Sequence, residues 1–308
     1  MEIDWKRAWY FISQLLSILG FAFFGLLVSY FFATLVGKGL YKYDQGQIEN
    51  MILNPVAENS VSMFLRIFQG LANFGTYGIP VFIYMIVYKF PIFGTLKLKK
   101  PFSFFQGLLI LVFASAAIFG LYFLSEINQW IPLPESMAES AERMARTQEK
   151  MIDSMMFMPS VVHLLANIFV IGFIAAFSEE LMFRGLLQPL FKNWTKNIHL
   201  GILISAALFS AIHFDPNGFI PRMAIAVAFG YLFYWTGNLW ITILAHFLNN
   251  SIEIMIYYFK DSNSWLNYIL EVKYIPMAWG IAGTLVALGV LFVFKRRAVV
   301  QESRTIAK

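Results

Sequence analysis

The chain has 308 residues, of which 59% are hydrophobic and only 13% are charged. A typical soluble domain has about 45–50% apolar and about 25% charged residues, so this chain has too few charges to cover a soluble surface. Several of its apolar runs reach about 20 residues, which is enough to cross about 30 Å of hydrocarbon. A soluble globular protein and a disordered protein are therefore excluded. The chain has no cysteine, which excludes disulfides, thiolate nucleophiles and Cys-ligated metal sites.

The apolar runs predict eight membrane-spanning helices. In chain order they cover about residues 9–36, 63–88, 104–124, 161–190, 199–214, 222–235, 239–259 and 275–294. We therefore predict an all-α fold, a polytopic membrane helix bundle with about eight transmembrane helices. The whole of residues 1–308 is expected to form a single integral-membrane domain.

The distribution of charge predicts the orientation of the bundle. If the N-terminus is cytoplasmic, 13 of the 23 Lys and Arg residues lie in inner segments, eight in outer segments and two within spans. Twelve of the 18 acidic residues then lie outside and three inside. Such a cytoplasmic excess of Lys and Arg is typical of membrane proteins. We expect both termini to be cytoplasmic, and we interpret the basic pI of about 9.2 as a topology signal and not as a nucleic-acid site.

One of the predicted outer loops has an amphipathic pattern. Residues 134–158 place Met137, Met144, Met151 and Met155 near helical spacing among charged residues. This pattern predicts an amphipathic helix at the membrane surface. The helix is either a solvated part of the loop or a lid that gates access of a substrate.

Ionisable side chains inside membrane spans are costly and are candidates for function. Near the end of the fourth span stand two adjacent carboxylates, Glu179 and Glu180, followed by Arg184. Glu180 and Arg184 are four residues apart on a helix, so they share a face and can pair. Glu179 is turned about 100° away and must face a cavity, where desolvation favours a role as general base. The alternative is that all three residues form one structural ion cluster.

The fifth and seventh spans also contain polar side chains at helical spacing. Phe209 and His213 lie on one face of the fifth span, and His246 and Asn250 lie on one face of the seventh. Two hydrogen-bond donors on one face can stabilise an oxyanion. They can equally form hydrogen bonds between helices, as His and Asn often do in membranes. A histidine in an apolar helix, such as His213, can also be a packing residue.

Two further charged residues lie within spans. Arg66 in the second span is expected to snorkel towards the interface or to pair with an acid. Glu253, near the outer end of the seventh span, is expected to pair with Arg222 or to remain hydrated.

The three polar motifs, in this order, resemble those of the type II CAAX prenyl endopeptidase family and its bacterial relatives, the CPBP (or Abi) intramembrane proteases. The family pattern is EExxxR, then FxxxH, then HxxxN, and the corresponding motifs begin here at Glu179, Phe209 and His246. The likeness covers about residues 160–255, which we expect to be the catalytic core.

The resemblance implies an eight-helix membrane protease. By motif position, Glu179 and His213 would activate a water molecule, and His246 and Asn250 would stabilise the tetrahedral oxyanion. The resemblance assigns the architecture of the site to the remaining motif residues, Glu180, Arg184 and Phe209.

A metal-dependent version of this protease is the alternative. Glu179, His213 and His246 would then be three ligands of a catalytic zinc ion, with Glu180 as the base. That arrangement would use His246 as a ligand and would deny Glu180 its Arg184 partner. We therefore expect no cofactor, with zinc as the alternative.

The resulting prediction is an intramembrane endopeptidase, a glutamic peptidase that cleaves a membrane-associated peptide or protein in the lipid bilayer. The absence of cysteine and of eukaryotic sorting tails favours a bacterial cytoplasmic membrane. Prenylated proteins are then not the expected substrate. The competing hypothesis is a non-enzymatic membrane transporter or immunity protein, in which the polar cluster would bind a substrate or couple protons.

Overall fold

The computed structural model describes residues 5–131, 135–262 and 276–306, and no strand occurs in those ranges. Side chains 135–138, and with them Met137, lie outside the described residues, as does Lys273 between the last two spans. The main helices are α1 (Trp5–Leu40), α2 (Gln45–Leu53), α3 (Asn59–Val87), α4 (Phe104–Gln129), α5 (Glu135–Met156), α6 (Val161–Thr195), α7 (Ile198–Ala211), α8 (Phe219–Thr236), α9 (Leu239–Phe259) and α10 (Met277–Ile306). The predicted all-α membrane bundle is confirmed.

Seven of the described helices, α1, α3, α4, α6, α8, α9 and α10, are long and apolar enough to cross a membrane. The remaining predicted span, the fifth, corresponds to α7, which has only 14 residues and rises about 21 Å. The prediction of about eight spans is thus close. The fifth span was expected to continue to Phe214, but α7 ends at Ala211 and His213 lies in the turn that follows.

Local sequence explains where the helices α7 to α9 begin or end. The side chains of Asn197 and Asn238 accept hydrogen bonds from backbone N–H groups of the first turns of α7 and α9. At the end of α8, Gly237 adopts a φ of 55°, a left-handed conformation that glycine tolerates best. These caps allow α6 to α9 to follow one another through very short connections.

Contacts at the helix ends show that α4 and α8 run in opposite directions. At one end of the bundle, Trp240 donates its indole N–H to the carbonyl oxygen of Leu98 at 3.0 Å. At the other end, Asn128 donates to the carbonyl oxygen of Pro216 at 2.8 Å. This arrangement matches the predicted topology, in which the first of these ends is cytoplasmic. Which end faces the cytoplasm stays a prediction.

Helices α1 and α3 cross very closely. A Cβ atom on Gly25 would lie 1.9 Å from the carbonyl oxygen of Gly75, and one on Gly75 would lie 1.8 Å from the hydroxyl of Ser29. Gly75 belongs to a π-helical turn, Phe74–Gly78, within α3. Only glycines permit this approach, which brings the middle of α3 into the bundle.

The amphipathic pattern of residues 134–158 forms helix α5, as predicted. Met155 is buried with Phe64 of α3, and Met151 packs against the same cluster, whereas Met144 is exposed. The exposed face carries the ion pairs Arg143–Glu139 and Arg146–Glu142, each spaced by four residues. Whether α5 acts as a lid stays a prediction.

Arg66 attaches the end of α5 to the bundle. Its guanidinium donates to the carbonyl oxygens of Met155 and Phe157 and to Oδ1 of Asn167, each at 2.6 Å. Arg66 is 0% exposed, so the expectation that it snorkels is wrong. Among the described residues its partners are these backbone carbonyls, near the C-terminus of α5, and the Asn167 side chain, and none is an acid.

Candidate active site

The carboxylate pair lies on a short α-helical segment of α6, Ala175–Glu180. This segment is flanked by two π-helical segments, Ile168–Ile174 and Leu181–Leu187. π-Helical turns inside α-helices occur often at functional sites because they change the direction of neighbouring side chains. Both Glu179 and Glu180 are buried in the interior of the bundle.

Glu180 and Arg184 form the predicted ion pair, completely enclosed by protein. Arg184 Nη1 lies 2.7 Å from Glu180 Oε1, and Nη2 donates to the carbonyl oxygen of Ala226 on α8 at 2.9 Å. The guanidinium also lies over the rings of Phe209 and Phe229, at 5.1 and 5.4 Å from their centroids. Burying an ion pair carries a desolvation free-energy cost, and these additional contacts offset it. Arg184 therefore joins α6, α7 and α8.

Glu179 has its hydrogen-bond partner on another helix. Its Oε1 accepts a hydrogen bond of 2.7 Å from Nδ2 of Asn73 on α3. Asn73 Oδ1 in turn accepts a hydrogen bond from the hydroxyl of Ser178. Asn73 is thereby fixed with its donor towards the carboxylate. The other oxygen, Oε2, points to the ring of His246, whose Nε2 is 3.8 Å away.

His246 lies between the two carboxylates. Its Nδ1 is 3.0 Å from Glu180 Oε1, and an ionised carboxylate only accepts, so Nδ1 carries a hydrogen. The opposite nitrogen, Nε2, faces Glu179. A histidine oriented in this way by a buried carboxylate is a recurring arrangement in hydrolytic sites. Glu180 thus does two things: it neutralises Arg184 and it orients His246.

His213 projects from the turn after α7. Its Nδ1 lies 2.8 Å from the carbonyl oxygen of Phe209, so Nδ1 carries the hydrogen and Nε2 is free to accept a proton in the neutral ring. Burial lowers the pKa of His213 below its ordinary value, and Arg222 adds to this decrease, whereas Glu179 opposes it. The neutral form, which acts as a base, is therefore favoured at neutral pH.

Phe209 packs against both histidines. Its ring centroid is 5.2 Å from that of His213 and 5.9 Å from that of His246, with edge-to-face geometry in both pairs. The same ring contacts Phe183 at 5.1 Å. Edge-to-face packing fixes the orientation of rings. Phe209 is well placed for the architectural role that the resemblance implies.

Asn250 forms a hydrogen bond between helices, the alternative that the sequence left open for this residue. Its Nδ2 donates to the carbonyl oxygen of Ile171, in the first π-helical segment of α6, at 3.0 Å. The side chain is half-buried, and one N–H of the amide is thereby used between helices. Its role at an oxyanion remains a prediction that relies on the second N–H.

The residues Asn73 and Ser178 were missed by the sequence analysis. The signal for Asn73 was present, because a polar amide stands within an otherwise apolar span. What the sequence lacks is any indication that this amide meets Glu179, 106 residues further along the chain.

An apolar cavity of about 580 Å³ lies beside this site and not at the carboxylates. It is bordered by α4, α5, the end of α7 and the segment 214–220, and its lining includes Met144, Ala211 and Phe214. Ala211 and Phe214 flank His213, so the cavity adjoins the turn that carries this histidine. Gln148 of α5 donates to the carbonyl oxygen of His213 at 2.6 Å. The wall formed by α5 is thus connected directly to the site.

Whether Glu179, His213 and His246 bind zinc stays a prediction. Across the described part of the chain, no group of three His, Asp or Glu side chains is arranged to hold a metal ion. Two ligands of a tetrahedral zinc ion at about 2.0–2.1 Å would lie roughly 3.4 Å apart, closer than the 3.8 Å between His246 Nε2 and Glu179 Oε2. His246 Nδ1 is also engaged by Glu180, the residue that the metal-dependent version needs as a base.

Comparison with known proteins supports the resemblance found in the motifs. Residues 161–252 match the family described as type II CAAX prenyl endopeptidase Rce1-like. The uncharacterized protein YpbD of Bacillus subtilis (strain 168) is 32% identical over 92 residues, which are 29% of this chain and 44% of that protein. The chain thus spans less than half the length of this curated relative. No solved structure matches the chain.

Proposed function

Since residues 161–252 carry an Rce1-like type II CAAX prenyl endopeptidase region, we propose that the chain is an intramembrane endopeptidase that hydrolyses a peptide bond of a membrane-associated protein or peptide. The observation that carries the proposal is the buried chain of contacts from Asn73 through Glu179 and His246 to Glu180 and Arg184. Ionisable groups are expensive at this depth and imply a function.

Glu179 is the proposed general base. Asn73 holds Oε1, which leaves Oε2 on the side of His246 for a water molecule. The carboxylate removes a proton from this water while its oxygen attacks the carbonyl carbon of the scissile bond. The protonated carboxyl then returns the proton to the leaving amine, so that one group serves as base and acid. His213, with an accepting Nε2, orients the water or shares its proton.

His246 and Asn250 are the proposed oxyanion donors. Because Nδ1 of His246 already carries a hydrogen bonded to Glu180, Nε2 can donate only when the ring is a cation. Glu180 Oε1 lies 3.0 Å from Nδ1, so the positive charge of such a ring would be paired with this carboxylate while negative charge develops on the substrate carbonyl. Asn250 contributes the N–H that is not bonded to Ile171.

The surroundings of the site support a membrane-associated substrate. The cavity between α4, α5 and the segment 214–220 is lined mainly by apolar side chains and adjoins the turn with His213. An apolar part of a substrate can occupy it while the peptide bond reaches the carboxylates. The lipid bilayer is then the medium from which the substrate enters.

The decisive experiment measures cleavage of membrane-anchored fluorogenic peptides by the purified full-length protein in lipid nanodiscs. We expect cleavage by the wild type and its loss in Glu179→Gln, which preserves shape but removes the base. Glu139→Gln is the matched control, because Glu139 is an exposed carboxylate of α5 that is paired with Arg143. Cleavage by a folded Glu179→Gln protein would refute the role of Glu179 as the general base.

Metal dependence is tested on the same preparations. The metal-free mechanism predicts activity that resists chelators and less than one zinc ion per protein. One bound zinc ion per chain together with activity lost on chelation and restored by zinc would favour the alternative with Glu179, His213 and His246 as ligands. Peptide binding without any cleavage would favour the transporter or immunity hypothesis.

A further inference from the structure

A second cavity, of about 390 Å³, lies at the end of the bundle opposite to the cavity beside His213. It is bordered by the beginning of α1, the end of α3, the segment that follows α3 and the end of α6. Its size falls within the range of about 300–1,000 Å³ that is usual for ligand sites. None of its lining residues takes part in the proposed hydrolysis.

This cavity has an apolar interior and an open rim. Phe11, Met85 and Leu190 belong to its lining and are buried. The lining residues Tyr10 and Phe90, in contrast, are 57% and 41% exposed. The rim therefore opens to the surroundings of the bundle, while the interior offers apolar surface.

The end of the bundle that holds this cavity carries exposed tryptophans. Trp5 and Trp9 of α1 are 73% and 72% exposed, and Trp194 at the end of α6 is 43% exposed. Tryptophan is enriched where the membrane meets water. Trp194 also lines the cavity and stacks on Phe11, with 4.4 Å between the ring centroids. The cavity therefore lies at the level where lipid headgroups join their acyl chains.

Arg7 brings a positive charge to the lining of this cavity. Its Nη2 donates to the carbonyl oxygens of Asn193 and Trp194, at 2.6 and 2.5 Å. These contacts hold the guanidinium at the C-terminal end of α6. Arginine is always protonated in proteins, and its planar fork of N–H donors suits phosphate oxygens. Arg7 is thus positioned as the charged group of an anion site.

The charges near the cavity are positive. Exposed lysines directly flank lining residues in all three segments: Lys6 next to Arg7, Lys89 next to Phe90, and Lys192 next to Asn193. No Asp or Glu occurs in the described ranges that border the cavity, 5–14, 84–95 and 185–194. Basic pockets between membrane helices attract the headgroups of anionic lipids.

We propose that this cavity binds one anionic phospholipid, with its phosphate at Arg7 and an acyl chain among Phe11, Met85 and Leu190. A soluble anion would leave the apolar interior unused. A zwitterionic lipid would gain less from the excess of positive charge. The proposal does not depend on the proposed peptidase function.

A bound lipid would contact the helix segment that carries part of the candidate active site. Gly185 and Leu186 line the cavity, and both belong to the π-helical segment Leu181–Leu187 that contains Arg184. A ligand that binds only the folded state stabilises that state. The anionic lipid should therefore raise the midpoint of thermal unfolding.

The test measures lipid binding to the purified full-length protein in detergent by native mass spectrometry. Phosphatidylglycerol and phosphatidylcholine with identical acyl chains are titrated separately. We expect phosphatidylglycerol to bind about tenfold more tightly, in line with a hydrogen bond to a charged group, and to raise the thermal midpoint more. Arg7→Gln should remove the preference, and Arg7→Lys should keep part of it. Thr95→Trp, which adds bulk to the lining without changing Arg7, should weaken binding of both lipids.

Arg297→Gln is the matched control. Arg297 lies at the same end of the bundle, over the ring of Phe105 at 4.3 Å from its centroid, and does not line the cavity. Its replacement should leave the preference unchanged, and excess inorganic phosphate should not displace the lipid. Thermal unfolding without lipid verifies that each variant is folded.

Four outcomes would overturn the proposal. The first is equal dissociation constants of the wild type for the two lipids. The second is wild-type binding of phosphatidylglycerol by folded Arg7→Gln or Thr95→Trp protein. The third is an equal loss of preference in Arg297→Gln, which would indicate the general charge of this end of the bundle. The fourth is displacement of the lipid by inorganic phosphate, which would indicate a site for a soluble anion.

Discussion

The hydrogen bond from Asn73 to Glu179 should be essential for activity, although Asn73 lies outside the three motifs. Replacing Asn73 with Ala removes the 2.7 Å contact from Nδ2 and leaves the buried carboxylate without its donor. The carboxylate that is proposed to act as the base then lacks the contact that orients it. The freed side chain can also rotate away from His246.

The structure allows the size of this effect to be worked out. Glu179 is only 7% exposed, so solvent replaces little of the lost hydrogen bond. A hydrogen bond to a charged group contributes about 1.5–3 kcal/mol. Since about 1.36 kcal/mol corresponds to a tenfold change in rate, kcat/KM of Asn73→Ala should fall by roughly 10- to 150-fold.

Ser178→Ala provides the matched comparison. Ser178 donates to Asn73 and to the carbonyl oxygen of Ile174 but does not contact Glu179. Its loss removes neutral hydrogen bonds, which contribute about 1 kcal/mol each, so the decrease in kcat/KM should be smaller.

The assay is cleavage of one membrane-anchored peptide at neutral pH, with thermal unfolding measured on each preparation. A folded Asn73→Ala protein that keeps at least half of the wild-type kcat/KM would refute the role of Asn73 at the reacting carboxylate. An equal decrease in kcat/KM in Ser178→Ala would indicate that disturbed packing of α3 against α6 causes the effect.

Three further predictions concern stability. Gly25→Ala should lower the free energy of unfolding by about 1–3 kcal/mol, because the added Cβ would lie 1.9 Å from the carbonyl oxygen of Gly75. Gly20→Ala is the control and should be tolerated, because no atom lies within 4 Å of its added Cβ. Equal thermal midpoints of the two variants would contradict the close crossing of α1 and α3. Arg66→Met should lower the free energy of unfolding by about 1.5–3 kcal/mol, and it should increase hydrogen exchange at the end of α5, where the backbone carbonyls lose their donor. Unchanged exchange would contradict the role of Arg66 in attaching α5 to the bundle. Burial lowers the pKa of His213 in the folded protein, so the unfolded chain protonates this histidine at a higher pH than the folded chain does. The free energy of unfolding should therefore fall as the pH decreases below about 6.5, and it should fall less in His213→Gln. Identical pH profiles of thermal unfolding for the two proteins would contradict this role of His213.

The sequence by itself determined the class of the fold and the residues of the motifs. Composition and apolar runs are sufficient for a membrane bundle because lipid imposes helices of defined length. Helical periodicity likewise predicted the pair of Glu180 with Arg184, because residues four apart in one helix are neighbours whatever the rest of the fold does. The order of the three motifs indicated the family that the comparison then matched.

Only the tertiary structure decided which helices meet at the carboxylates. The contact of Asn73 with Glu179 depends on how deeply α3 enters the bundle, which the close crossing of Gly25 and Gly75 permits. The contact of His246 with Glu180 depends on the rotation of α9 against α6, which no periodicity within a single helix specifies. Side chains on different helices become neighbours through packing of whole surfaces, and that information is distributed over residues far apart in the chain.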